Sequence, residues 1–254
     1  MQTPPLIFRD GHLFVKIERS LWLLDTGAPT SFGNTGSITI AGKQFAIVES
    51  YMGLSSETLS EFVGVPCIGL LGADVLGHFD HVFDCTNEKL TVSSGELTHS
   101  GQTLQLSEFG GIPILTARIS DSEYRMFFDT GAQISYFQDD ALTDFPAGES
   151  ITDFYPGFGR FQTETYQVDI SLGGVDFTIR CGSLPGLLGM TLEMADTQGI
   201  IGNQIMSNRV VGISRGGMYC ACEPHSAFFM GRGLRPCLRA FLRRACPPLP
   251  SRKN

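Results

Sequence analysis

Short apolar runs separated by turn-forming residues pattern this chain from its start to about residue 222. LWLL precedes Asp25, MFF precedes Asp129, and GLL and GII occupy 69–71 and 199–201. Runs of that length, bounded by Gly, Pro, Asp and Ser, read as strands rather than helices. Thirty Gly and thirteen Pro supply the turns between them. The pattern predicts an all-β fold.

Laid against itself, the chain repeats. LWLLDTGAPTSF at 21–32 matches MFFDTGAQISYF at 126–137, with a shared core of apolar-apolar-Asp-Thr-Gly-Ala. ITIAGKQFAI at 38–47 then matches ISLGGVDFTI at 170–179, and GLLGADVL at 69–76 matches GIIGNQIM at 199–206. A tripeptide recurs by chance easily; three blocks recurring in one order do not. Each half reads as two strands entering the Asp-Thr-Gly, a hairpin, an apolar-apolar-Gly block, a short helix and closing strands. The polar stretch SSGELTHSGQT at 93–103 reads as the connection. The expected organisation is a first lobe over 1–98, a second over 99–222 and a tail over 223–254.

A carboxylate that directly follows several apolar residues sits at the edge of a core, where an unpaired charge is costly. Two such repeats related by an approximate two-fold axis bring Asp25 and Asp129 together, where they share one proton and hold one water. One carboxyl is then base and the other acid, and the apparent pKa values belong to the pair.

The two DTGA blocks, each with a downstream apolar-apolar-Gly (Leu70-Leu71-Gly72 and Ile200-Ile201-Gly202), resemble the aspartic peptidases over residues 5–222. The detail is closer to retropepsins, whose protomers each carry one DTGA, although here both halves are fused as in pepsins. The resemblance implies two pseudo-two-fold related β lobes with an active-site cleft between them and Asp25 and Asp129 as the catalytic pair. It implies a crossed hydrogen-bond brace between Thr26 and Thr130, close backbone approach at Gly27 and Gly131, and structural roles for Gly72 and Gly202. Pepsins carry Ser or Thr after the DTG, whose hydroxyl bonds an outer carboxylate oxygen; Ala28 and Ala132 stand there in this chain. Losing those donors raises a carboxyl pKa, so a mildly acidic optimum is expected. The implied activity is endopeptidase cleavage of an extended peptide or protein by a monomer that needs no cofactor and no metal. The alternative is a non-catalytic peptide-binding module of the same fold, against which the intact DTG in both halves argues.

This family closes a β-hairpin, the flap, over its substrate. From Asp25 to Gly42 is 17 residues, whereas from Asp129 to the matching Gly174 is 45, and the downstream intervals nearly agree at 30 and 28. The surplus lies between Tyr136 and Gln167, where ITDFYPGFGRFQTETYQV flanks Pro156-Gly157 with apolar and aromatic residues. Pro-Gly suits the centre of a type II turn and Gly159 adds freedom beside it. A single flap from the second lobe is expected, with Tyr155, Phe158 or both over the carboxylates.

Charge narrows the partners. The formal charge is −8, but residues 1–222 carry 11 basic and 25 acidic side chains, a formal −14, while 223–254 hold seven basic and one acidic. An acidic body argues against nucleic acid. No basic-then-apolar leader opens the sequence and no apolar run approaches eighteen residues, so a cytoplasmic protein is expected. Seven scattered cysteines argue against a disulfide framework or zinc site. His78 with His81 and Cys220 with Cys222 lack further ligands at suitable spacing. GISRG at 212–216 fits a nucleophile elbow in letters, but GMYCAC after it reads as a closing strand. The tail, where Leu234, Leu238, Phe241 and Leu242 share a face among arginines, reads as a loosely ordered appendage rather than a membrane-binding helix.

Overall fold

The computed structural model describes residues 1–97, 102–214 and 219–224. Strands dominate among them, and the helices are short: α1 (Ser56–Val63), α2 (Ala73–Leu76) and α3 (Gly186–Met194). The all-β expectation holds. Of the tail, everything from residue 225 onward lies outside the described residues, with Leu234, Leu238, Phe241 and Leu242, as do residues 98–101 of the connecting stretch.

Period-two alternation builds the strands. In Ile112–Ile119, Leu115, Ala117 and Ile119 are buried while Thr116 and Arg118 are exposed. In Thr165–Leu172, Val168, Ile170 and Leu172 are buried and Asp169 is exposed. Left-handed turn residues set the hairpins. Ala41 and Gly42, at φ +50° and +82°, join Ser37–Ile40 to Lys43–Ala46. Gly173 and Gly174, at φ +57° and +85°, join Thr165–Leu172 to Val175–Gly182. Both central residues at positive φ is the arrangement that matches strand twist in two-residue hairpins.

Two sheets carry the repeated blocks. The first runs Leu6–Arg9, His12–Ile17, Ser20–Leu24, Gly69–Leu71, Phe32–Gly33. The second runs Ser107–Phe109, Ile112–Ile119, Ser122–Phe128, Gly199–Ile201, Ser135–Phe137, Val175–Gly182, Thr165–Leu172. In each, the strand entering the Asp pairs in parallel with the apolar-apolar-Gly block: Leu24 lies opposite Leu71, and Phe128 opposite Ile201. All four side chains are fully buried, each worth roughly 1.5–3 kcal/mol of burial.

A third sheet interleaves the halves, in the order Lys89–Ser93, Asp80–Asp84, Arg209–Ile213, Tyr219–Pro224, Gln102–Gln105. Gly212 sits mid-strand here, paired with Val82 and Ala221, so Gly212 and Ile213 belong to a closing strand that ends just before Ser214. The main core cluster accordingly draws on both halves, with Trp22 and Leu71 joined to Phe128 and Phe137.

His81, in the third sheet, is 5% exposed, stacked on Phe83 at 5.7 Å and edge-on to Phe79 at 6.4 Å. Its Nε2 has no hydrogen-bond partner among the described residues. Burial holds its pKa down from 6.5 to about 4. A depressed histidine favours the folded state while neutral, so its contribution is complete above pH 6.5 and is lost as the pH falls toward 4. That separation corresponds to about 3 kcal/mol. Urea unfolding should show a loss of that order between neutral pH and pH 4, and His81→Phe should flatten it; an unchanged pH dependence in the variant would count against this histidine as the source.

Candidate active site

Strands Ser20–Leu24 and Ser122–Phe128 end at Asp25 and Asp129. Each aspartate is anchored through its backbone to the neighbouring parallel strand: Asp25 N–H donates to Leu71 O at 3.0 Å, and Asp129 N–H to Ile201 O at 2.9 Å. The loops then fold back on their own carboxylates. Gly27 and Ala28 N–H donate to Asp25 Oδ1 at 2.9 and 2.8 Å. Gly131 and Ala132 N–H donate to Asp129 Oδ1 at 2.8 and 3.2 Å. Among the described residues no hydroxyl donates to either carboxylate, as Ala28 and Ala132 require.

The two loops meet. Thr26 N–H donates to Thr130 Oγ1 at 3.1 Å and Thr130 N–H to Thr26 Oγ1 at 3.0 Å. The Thr26 hydroxyl donates to Phe128 O at 2.7 Å, and that of Thr130 to Leu24 O at 2.9 Å. A Cβ at Gly27 would overlap the Asp129 carboxyl, and one at Gly131 would overlap that of Asp25. Glycine is required here because each loop's backbone lies against the other loop's carboxylate.

Further residues, not singled out in the sequence, complete the frame. Gly72 N–H donates to Ser31 Oγ at 2.8 Å and Gly202 N–H to Ser135 Oγ at 3.0 Å. Both serines stand six residues after their aspartates, a coincidence visible in the aligned repeats. Ala73 N–H donates to Ala28 O at 2.8 Å and Asn203 N–H to Ala132 O at 2.9 Å, while a Cβ at Gly72 would come within 2.5 Å of Ala28 O. These crossings explain Gly72 and Gly202. Asn203, fully buried, also donates through Nδ2 to Gly11 O and Thr130 O at 2.9 and 3.1 Å. His12 is buried with Nδ1 3.2 Å from Gly131 O. Burial lowers its pKa, so the neutral ring donates Nδ1–H to that carbonyl. No sequence signal distinguishes His12 from an ordinary strand residue.

Asp25 and Asp129 open onto a cleft of about 190 Å³. Its lining includes Gly27, Ala28, Gly131 and Ala132 beside the carboxylates, Tyr155 and Pro156 of the predicted hairpin, and Tyr51 and Met52 from the first half. The hairpin pairs Ile151–Tyr155 with Gly159–Thr163. Phe158 N–H donates to Tyr155 O at 3.0 Å, with Pro156 and Gly157 (φ +76°) between them. Phe154 stacks on Phe62 of α1 at 4.8 Å, and the Arg160 guanidinium donates to Glu61 O at 3.3 Å. The hairpin thus reaches from one half onto the other.

Two expectations need correction. Phe158 does not line the cleft; the turn leaves it 43% exposed, edge-on to Phe161. Nor is the long hairpin alone, because Ser50–Tyr51 and Leu54–Ser55 form a short one around Met52-Gly53, and Met52 packs at Gly157. Its two-residue strands are too short to leave a period in the sequence, and it follows rather than precedes the Ala41-Gly42 hairpin.

Burial, then the charge of Asp129, holds Asp25 well above the ordinary 3.8 of an aspartate. Burial also raises Asp129, although bonds from Asp25, Gly131 and Ala132 pull the other way. Tyr155 is raised by burial and by both carboxylates. Among the described residues no group of three or more His, Cys, Asp or Glu is arranged to hold a metal ion. Comparison with known protein families and with curated proteins finds no match for this chain. The functional reading rests on the site's geometry.

Thr130→Val is nearly isosteric but strands Leu24 O and Thr26 N–H in a buried site, so unfolding should be easier by about 2–5 kcal/mol. Thr143→Val, on the surface, should change little; comparable losses would show that the crossed bonds hold nothing. Asp25→Asn should have the opposite sign. A raised carboxyl contributes stability that is full below pH 3.8 and is lost as the pH rises through its folded value, a loss that the uncharged amide escapes. The variant should melt above the parent at neutral pH, with the gap closing toward pH 3.8.

Proposed function

We propose that this chain is an aspartic endopeptidase of retropepsin type, with two pseudo-two-fold related lobes fused in one polypeptide and an active-site cleft between them. The crossed hydrogen bonds of Thr26 and Thr130 carry the proposal, because they hold each aspartate against the glycine of the other loop. Two ordinary turn glycines 104 residues apart have no reason to meet opposite carboxylates.

An extended peptide lies beneath the two hairpins, its backbone hydrogen-bonded and its side chains in the apolar walls. The carboxyl pair carries one proton. The ionised member takes a proton from a water as its oxygen attacks the peptide carbonyl carbon, and the protonated member donates to the carbonyl oxygen. A proton then passes to the amide nitrogen, the C–N bond breaks, and the pair returns to its singly protonated state with acid and amine released. Tyr155 helps to keep bulk water from the intermediate. Both carboxyls come from one chain, so a monomer suffices.

Asp25→Asn and Asp129→Asn should each lower kcat/KM for peptides by about 10²–10⁴-fold or more, with circular dichroism unchanged. A pepstatin-type inhibitor should abolish parent cleavage. Undiminished cleavage by either variant would overturn the mechanism. Because both carboxyls are raised, the singly protonated pair persists above pH 3.8, and the alkaline limb of the kcat/KM profile should lie above that value.

A further inference from the structure

We infer that the cleft selects a substrate with a positively charged side chain, Lys or Arg, at one position beside the scissile bond. This rests on the endopeptidase reading and names the substrate class of the same site.

The two walls of the cleft differ. The first half contributes Leu23, Phe32, Leu54, Leu59 and Leu70, with the Tyr51 hydroxyl but no carboxylate apart from Asp25. The second contributes Phe127, Leu184, Leu192 and Ile200, interrupted by Tyr136 and Asp153. Tyr136 stands seven residues after Asp129, as Phe32 stands seven after Asp25, so the polar pair distinguishes one wall from its counterpart. Asp153, on the hairpin strand Ile151–Tyr155, is only 8% exposed. It accepts the Tyr136 O–H and, through Oδ1, the Phe154 N–H at 2.7 Å.

The tyrosine's single proton is therefore committed to the carboxylate. What the pair offers the cleft is oxygen lone pairs, which only a donor can satisfy. Among the described residues the ion pair is Arg125 with Asp196, and no cation lies within ion-pair distance of Asp153. A Lys or Arg stem would lie along Leu184, Leu192 and Ile200 while its head meets Asp153. An acidic side chain would instead meet three carboxyl groups, Asp25, Asp129 and Asp153, in one cleft.

The test uses peptides whose central amide is replaced by an uncleavable reduced bond. They carry Lys, Nε-acetyl-Lys or norleucine at each of the four positions around that bond, and calorimetry measures binding to the parent protein. Lys should bind about tenfold or more tighter than the two neutral residues at one position. Asp153→Asn should bring that ratio near one, whereas Tyr136→Phe, which leaves the charge, should keep it. Equal binding of Lys and acetyl-Lys at every position would overturn the inference without need of a variant, and so would a ratio that survives Asp153→Asn. Lys preference in a protein that cleaves no amide peptide would support the inference and sink the endopeptidase reading. Cleavage without Lys preference would do the reverse, and failure of every peptide to bind would overturn both.

Discussion

The ring of four hydrogen bonds between Thr26 and Thr130 is the constraint on which the rest of this structure depends. Each hydroxyl accepts from the opposite threonine's N–H and donates to the carbonyl preceding the opposite aspartate. Both threonines are buried, so no water stands ready to replace a broken bond. Such bonds add little net stability when made, about 1 kcal/mol each, but leaving the groups unpaired costs about 1–3 kcal/mol each. The loops therefore hold together or come apart as a unit. That rigidity offsets the cost of crowding two carboxyls in a buried place.

Several contacts immediately around the ring come in matched pairs. Gly27 and Gly131 each abut the other loop's carboxylate, and Gly72 and Gly202 each donate to the serine six residues after their half's aspartate, although Ser31 also donates to Asp74 Oδ1. Away from the ring the match fails. One half sends out a hairpin with five-residue strands that reaches α1 of the other through Phe154 and Phe62, while the other sends out two-residue strands ending at Met52. Phe32 faces the cleft in one wall and the Tyr136–Asp153 pair in the other. The paired carboxyls thus lie beneath an asymmetric roof. Under the proposed function that difference gives a bound peptide its direction, since a peptide is not symmetric about the bond to be cut.

The halves are also joined by main chain. Strands Asp80–Asp84 and Arg209–Ile213 pair directly, in a sheet whose other strands come from both sides of the connection. Separating the halves would break that ladder as well as the threonine ring. A buried backbone group without its partner is costly, so the sheet resists the same motion that the ring resists.

The sequence by itself determined the local and the repeated features. Period-two burial, the Ala41-Gly42 and Gly173-Gly174 turns and the Pro156-Gly157 turn follow from chemistry within a few residues. Asp25 and Asp129 were legible because identical neighbours surround them, and the insertion between Tyr136 and Gln167 because the intervals on either side agree. Only the tertiary structure decided what those groups face. Ser31 and Ser135 appear in the aligned repeat, but their partners lie 41 and 67 residues downstream. Asp153 reads as one more polar residue in a hairpin until the fold brings Tyr136 to it, and His12 as one more strand residue until Gly131 lies beside it. Phe158, aromatic like Tyr155 and three residues away, is turned outward by the geometry of the same turn. Turns and alternation are set by nearest neighbours along the chain, whereas the polarity of a cleft wall is set by side chains that meet across it.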